Sequence, residues 1–317
     1  VSVGRGRIIL ERRFVGFGRT VPRDIGGKRT VKVVLSPNPY RDRGLKAAQS
    51  ADRILKHVGV DTVFCLPFPI EGGSVELPKH LDFRDTQDEL RSADMLVCFG
   101  GDGTILHAAK DANLHHVPIL GVNLGSMGFM AELELSELSL LSKVATNRYS
   151  IENRMMLDVV VRRESRTVYS GIALNDAAIT KGAVARIIDL EVYGDRVLVN
   201  NFSGDGMIIS TPTGSTAYSM AAGGPIVEPT SESIIITPIC AHVLGARSMV
   251  LGKDRTVMVK MGKMARKTAY LSVDGGKAFK LNGGDQVELK RSSSVTRLVR
   301  LTNRSFYEII NHKLGGV

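Results

Sequence analysis

Residues 95–109, MLVCFGGDGTILHAA, constrain this 317-residue chain more than any other stretch. Five apolar residues, 95–99, run into Gly100, Gly101 and Gly103, which enclose a single carboxylate, Asp102, before Thr104 opens a segment with helical spacing. A buried strand that breaks on glycines lets backbone approach a ligand closely. The helix that follows offers unpaired N–H groups and the positive end of its dipole to an anion. The pattern predicts a phosphate site on a strand–loop–helix unit. A carboxylate inside such a loop repels phosphate unless a metal or a substrate hydroxyl stands between them, so Asp102 is expected to take part in chemistry.

Alternating segments extend this unit over the first half of the chain. Apolar runs at 31–36, 62–65, 95–99 and 117–122 read as buried strands. Helical spacing marks 47–58, 85–93 and 104–112, and Ser136 is placed to cap a further helix through 144. A Pro-Asn-Pro loop follows the first strand. Such alternation predicts an α/β, doubly wound (Rossmann-like) parallel sheet whose ligand crevice lies at the carboxyl ends of its strands. After residue 150 strands dominate, at 155–161, 169–174, 187–193, 197–201, 233–237, 256–261, 268–273, 286–289 and 297–301, with Gly194-Asp195 turning a hairpin. One long interruption, the Ser/Thr/Gly-rich stretch 204–224, separates them. The expected organisation is a disordered basic leader at 1–30, an α/β domain at 31–150 and a β-rich, sandwich-like domain at 151–304. A short helical tail at 305–317 is expected to return to the first domain.

Composition narrows the function. The net charge of +10 is concentrated in residues 1–30, where eight basic side chains face two acidic ones, leaving the body only modestly basic. That balance suits anionic small-molecule substrates and gives no basic face with interleaved aromatics, so nucleic acid is not an expected partner. Arg12-Arg13 is not followed by an apolar segment of signal-peptide length, and no apolar run reaches the roughly 18 residues that span a bilayer. Neither export nor membrane insertion is expected. Three widely separated cysteines, Cys65, Cys98 and Cys240, form no disulfide framework and fit a reducing, cytoplasmic setting.

Four clusters are candidates for chemistry. Gly100, Gly101, Asp102, Gly103 and Thr104 form the first, with His107 placed to reach a phosphate from the same helix start. Residues 123–129, NLGSMGF, follow the fourth strand, where a doubly wound fold puts its ligand loops. Asn175-Asp176 combines an amide with a carboxylate suited to a ribose diol or a nicotinamide. Residues 204–224 hold a second Gly-Asp-Gly around Asp205, then Thr213, Ser215, Thr216 and Tyr218, a donor-rich ligand site. Taken singly, each has a plainer reading, since Gly-Asp-Gly is common in turns and Asn-Asp pairs often cap loops. His115-His116 reads as a solvated pair, Met127, Met130, Met155 and Met156 as core, and 253–255 and 263–267 as charged hairpin turns. Two glycine-flanked carboxylates in a chain that lacks both a G-x-G-x-x-G fingerprint and a P-loop lysine favour a site over turns.

These motifs resemble the NAD kinase family of bacterial type: FGGDGT at 99–104, GVNLGSMGF at 121–129, LND at 174–176 and GDGMIISTPTGSTAYSMAAGGPI at 204–226. TPICAH at 237–242, SVDG at 272–275 and KLGG at 313–316 extend the likeness from about residue 31 to the C-terminus. The resemblance implies ATP-dependent phosphorylation of NAD at the adenosine ribose 2′-hydroxyl, with Mg²⁺ or another divalent cation on the ATP phosphates and no metal ligand assigned to the protein. It implies Asp102 as the general base, with Gly103 and His107 at the substrate. Asn175 and Asp176 would hold the dinucleotide, Arg186 would make a further contact, and Asp205 would stand at the nicotinamide end. Thr216, Ala217, Tyr218, Ser219, Met220 and Ala221 would line the adenine and ribose pocket in the NAD-binding second domain. Two positions depart from the family pattern: Ser203, where many relatives carry arginine, and Gly276, where glutamine follows Asp-Gly. The family also implies a homodimer or homotetramer. GGDGT resembles diacylglycerol- and sphingolipid-type lipid kinases as well, but these are expected to continue with a PxGTGND-like loop where this chain reads GVNLGSMGF. A non-catalytic dinucleotide sensor is the remaining alternative, and retention of Asp102 argues against it.

Overall fold

The computed structural model describes residues 30–70, 75–125, 128–182, 186–243, 245–263 and 267–315; the leader through residue 29, Met127 and residues 264–266 of the hairpin turn expected at 263–267 lie outside the described residues. The first half runs β1 (Lys32–Pro37), α1 (Lys46–His57), β2 (Asp61–Cys65), β3 (Phe83–Arg84), α2 (Thr86–Leu90), β4 (Met95–Gly100), α3 (Asp102–Leu114) and β5 (Ile119–Asn123), then a 3₁₀ segment, Leu135–Thr146. The five strands pair in parallel in the order β5-β4-β1-β2-β3. β4 and β5 are buried along their whole length, which is why they appear in the sequence as unbroken apolar runs. Helices cover both faces. Ala48, Ala51 and Leu55 of α1 pack with Leu138 and Leu141 on one side, and Ile105, Ala108 and Ala112 of α3 pack against Leu96 and Cys98 on the other.

The second half contains β6 (Ser150–Arg163), β7 (Arg166–Ala173), β8 (Asp176–Lys181), β9 (Ile188–Gly194), β10 (Val197–Gly204), β11 (Gly206–Ser210), α4 (Tyr218–Ala221), β12 (Ser233–Ile239), β13 (Met249–Gly252), β14 (Val257–Met261), β15 (Ala269–Val273), β16 (Phe279–Leu281), β17 (Gln286–Arg300) and α5 (Phe306–Leu314). One antiparallel sheet runs β13-β12-β11-β8-β15-β16. The other, with β9, β10, β14, β6 and β7 gathered around β17, joins the parallel sheet through a parallel pairing of Leu298 with Ile119. Leu157, Val159, Leu190, Val259 and Leu289 of this sheet meet Ile179, Ile209, Ile236 and Leu271 of the other in one sandwich core. The architecture is thus a doubly wound parallel sheet, a β-rich sandwich and a short C-terminal helix. Met130, Met155 and Met156 are buried core residues.

Several local expectations are corrected. The interruption at 204–224 contains β11, a fully buried central strand, and β3, β8, β13 and β16 are further strands absent from the sequence reading. Residues 286–289 and 297–301 belong to one strand, β17. The helix expected at 136–144 is a 3₁₀ segment capped by Glu134 through a reciprocal box with Glu137, not by Ser136. The helix expected at 85–93 ends at Leu90, with Asp85 as its cap. The hairpin at Gly194-Asp195 forms, Asp195 and Arg196 both taking positive φ (49° and 70°) as a tight primed turn demands. At the C-terminus, Ser305 and Glu308 form a capping box, Phe306 lies 6.4 Å from Phe129 and Lys313 Nζ stands 4.5 Å from the Phe129 ring centre.

Candidate functional site

The strand order reverses between β1 and β4, and the loops after these two strands open the crevice that such a reversal creates. Asn38, just past β1, donates its N–H to the Phe99 carbonyl at 2.9 Å and its side-chain amide to Thr104 Oγ1 at 3.1 Å. The Thr104 hydroxyl is therefore turned back into the fold, against Gly100, where a Cβ would lie 2.2 Å from Thr104 Oγ1. Gly101 and Gly103 behave differently: a Cβ on either meets nothing within 4 Å, so these glycines face open space. Asp102 is the first residue of α3. Its carboxylate accepts the Phe129 N–H at 2.7 Å and the Met130 N–H at 3.0 Å. Gly128 makes this possible, because a Cβ there would stand 2.1 Å from Asp102 Oδ1.

Along α3, Gly103, His107 and Lys110 share one exposed face at helical spacing. The His107 ring meets Phe68 edge-on at 5.7 Å, and Phe68 stacks on Tyr40 at 6.0 Å. On the other side Lys110 Nζ comes within 3.7 Å of the point a Cβ on Gly276 would occupy. The face of α3 is thus bounded by the β1 loop with Phe68 on one flank and by residues 274–276 on the other.

Asp274 organises that second flank. It takes a positive φ of 51°, and its carboxylate accepts the N–H groups of Leu174 (2.8 Å), Asn175 (2.8 Å) and Asp176 (3.1 Å). Burial pushes the Asp274 carboxyl up, against the pull of these three amides and of Lys110. Burial, and then the neighbouring Asp274 charge, push Asp176 up to about 7. Asn175 Oδ1 is buried and has no hydrogen-bond partner, an orphan acceptor of the kind a ligand donor satisfies. Gly276 closes the turn by donating to the Val273 carbonyl, and a Cβ at this position would press to 3.0 Å from that oxygen.

Residues 211–216 lie directly on this segment. Thr211 donates its hydroxyl to the Leu174 carbonyl at 2.6 Å, and Gly214 packs so closely that a Cβ would be 2.1 Å from the Asn175 carbonyl oxygen. Thr213 accepts Arg154 Nη1 at 3.2 Å, and Thr216 donates back to the Thr213 carbonyl. Arg154 is only 2% exposed and is held by Glu152 at 2.5 Å. Burial lowers its pKa to about 10, so it remains a cation, and Asp102 is among the negative charges that act on it. Arg300 continues the network to Glu152 and Glu132. Beyond Ala217, Tyr218 is exposed, Ser219 is buried against the Thr237 hydroxyl at 2.8 Å, Met220 is half-buried and Ala221 exposed.

Within the chain, three expected site residues stand at a distance from Asn175-Asp176. Asp205 precedes β11, whose register pairs Ser210 with Asp176 and Gly206 with Thr180, so about 17 Å of strand separates it from Asn175-Asp176. There it pairs with Lys181 at 2.6 Å. Ser203 donates to Asp189 at 2.6 Å, and Lys267 pairs with the same carboxylate at 2.6 Å; these two bonds hold Asp189 below the usual carboxylate range. Arg186 lies just before β9 at that same end. Conversely, the sequence reading did not single out Asn38, Arg154 or Asp274. Asp274 and Asn38 stood within quoted motifs, whereas an arginine just before the apolar run 155–161 gave no signal. Among the described residues no cluster of His, Cys, Asp and Glu could hold a metal ion, and no helix is long and apolar enough to cross a membrane.

Two family models match successive parts of the chain. The model of the ATP-NAD kinase N-terminal domain matches residues 49–149, and that of the ATP-NAD kinase C-terminal domain matches residues 174–301. The chain is 36% identical over 287 residues to an NAD kinase of Ruminiclostridium cellulolyticum, covering 89% of this chain and 97% of the relative. It is 44% identical over 225 residues to an NAD kinase of Natranaerobius thermophilus, covering 71% and 78%. Among solved structures it is similar to yeast NADH kinase complexed with NADH, with a TM-score of 0.78, 27% identity and coverage of 90% and 88%. An NAD kinase from Archaeoglobus fulgidus in complex with ATP shares the fold, with a TM-score of 0.66 at 23% identity over 89% of this chain and 99% of that one.

Proposed function

The chain belongs to the NAD kinase family, and from that premise we propose that it transfers the γ-phosphoryl group of ATP to the adenosine ribose 2′-hydroxyl of NAD, giving NADP, with Asp102 as the base. The observation that carries the reading is a carboxylate fixed at the start of α3 by two amides, facing a crevice whose other flank holds an unpartnered amide oxygen, Asn175 Oδ1. A carboxylate offers about four acceptor positions, so Asp102 keeps capacity for a ribose hydroxyl after taking the Phe129 and Met130 amides. Accepting that proton as the oxygen attacks phosphorus is ordinary general-base work, and in-line positioning supplies most of the remaining acceleration.

The two flanks divide the substrates. Asn175, with Asp176 and the segment from Thr216 to Ala221, holds the dinucleotide, its orphan oxygen accepting a donor from the ligand. Open Gly101 and Gly103 admit the donor phosphates to the N-terminus of α3. A single accessible carboxylate, with no cluster of further ligands among the described residues, suits Mg²⁺, which keeps its waters and binds chiefly through substrate phosphates. Asp102 is the protein group placed to share it, and the ion when bound neutralises phosphate charge. Arg154, buried behind Thr213, places a positive charge on that side of the crevice. For self-association, edge strand β10 presents Val197, Leu198 and Val199, all exposed, as contact surface for a second copy. Purified protein given ATP, Mg²⁺ and NAD should form NADP; bound NAD without product would refute the reading.

A further inference from the structure

We infer that Tyr40, Phe68 and His107 form the shelf on which the base of the phosphoryl donor stacks. This rests on the kinase reading above and adds a subsite to it. Acceptor and donor must approach Asp102 from different sides, since attacking oxygen, phosphorus and leaving oxygen lie in line. The flank built on Asp274 holds the orphan Asn175 oxygen and the 211–216 segment, a polar surface for the acceptor. The opposite flank is aromatic. Tyr40 and Phe68 stack with centroids 6.0 Å apart and 22° between planes, and His107 meets Phe68 at 5.7 Å and 82°. Tyr40 is 45% exposed and His107 is exposed, so faces of both rings remain for a further flat group.

The shelf is tied to the reacting centre by short links. Tyr40 N–H donates to Asn38 Oδ1 at 3.0 Å, and Asn38 Nδ2 donates to Thr104 Oγ1, two residues from Asp102. His107 stands one turn beyond the open Gly103 on the exposed face of α3, and Lys110 follows on that face. Arg41, next to Tyr40, has no ion-pair partner among the described residues. Aromatic faces for a base beside the Arg41 cation, and a glycine-opened helix N-terminus for phosphates, make up the chemistry that recognises a nucleoside triphosphate.

The test is steady-state NADP formation by wild type and Tyr40→Ala, with ADP and inorganic tripolyphosphate as inhibitors competing with ATP. Expected is a roughly tenfold rise in KM for ATP and in Ki for ADP, with KM for NAD and Ki for tripolyphosphate within twofold and kcat at saturation within threefold. Tyr40→Trp should restore wild-type KM for ATP or lower it. The inference is overturned if KM for ATP is unchanged, if KM for NAD rises with it, or if ADP and tripolyphosphate weaken equally. Wild type that makes no NADP refutes the kinase reading instead, and calorimetry of ADP binding to wild type and Tyr40→Ala then decides the shelf separately, equal affinities overturning it.

Discussion

Gly128→Ala changes no functional group and should still disable the enzyme. An added Cβ would lie 2.1 Å from Asp102 Oδ1 and 2.8 Å from its Cγ, well inside the 3.0 Å that real Cβ atoms respect. The carboxylate and the loop must therefore part by about 1 Å, which stretches the bonds from Phe129 (2.7 Å) and Met130 (3.0 Å) past hydrogen-bonding range. A misplacement of about 1 Å at a reacting group costs roughly 100-fold in rate, equivalent to ~2.7 kcal/mol of barrier. Gly125→Ala is the matched control: it adds the same methyl group to the same loop, with nothing within 4 Å. The assay is the initial rate of NADP formation at saturating ATP and NAD, together with the melting temperature of each variant. Gly128→Ala should lose about two orders of magnitude in kcat with KM for NAD changed only a few-fold, and Gly125→Ala should stay within about twofold of wild type. Retention of more than about a third of wild-type kcat by Gly128→Ala, or an equal loss in both variants, would refute the placement of Asp102.

Asp102→Asn should lower turnover by at least roughly two orders of magnitude while leaving NAD affinity within a few-fold by calorimetry; full activity would show that Asp102 is not the base. Asp176 stays protonated in the fold up to about pH 7, whereas an unfolded aspartate titrates near 3.9, so between about pH 4 and 7 unfolding releases a proton and stability falls as pH rises. Asp176→Asn removes that slope, and its melting temperature should gain on wild type from pH 5 to pH 8; a constant difference would count against a buried, raised carboxyl. Asp274→Ala frees three amides at about 1–3 kcal/mol each and should cost ~3 kcal/mol or more in urea unfolding, with NAD bound at least tenfold more weakly. Unchanged NAD affinity would mean that Asn175 is not held by Asp274 for the ligand.

β1, β4 and β5 of the parallel sheet were legible because they are buried on both faces, so each appears as an apolar run with a sharp boundary, whereas the short, partly exposed β3 left no such run. β11 was hidden by its surroundings. Its five residues, GMIIS, are as buried as β4, but they sit in a window dominated by serine, threonine and glycine that serves the loop after it. β17 was divided for a different reason. Its register shifts between Arg291 and Val295, where Ser292 is buried and its hydroxyl accepts the Ser294 N–H, so three serines mark a bulge inside one strand. Polar composition in both places reports local geometry rather than the end of pairing.

The two Gly-Asp-Gly tripeptides show where sequence reading of the site reaches its limit. At 101–103 the glycines border open space and the carboxylate is pinned by amides 27 and 28 residues away. At 204–206 the glycines serve packing: a Cβ on Gly206 would lie 2.1 Å from the Ile179 carbonyl oxygen, and one on Gly204 would lie 3.0 Å from that of Ile239. Asp205 between them pairs with Lys181. Identical tripeptides thus meet opposite surroundings, open space in one and close strand approach in the other, and only the partners across the fold distinguish them. The same holds for Asp274, whose three amides lie 98 to 100 residues away, and for Arg154, which reaches Thr213 over 59. What the sequence carries locally is the backbone freedom a site needs; which carboxylate is held for chemistry is decided by contacts that spacing along the chain does not encode.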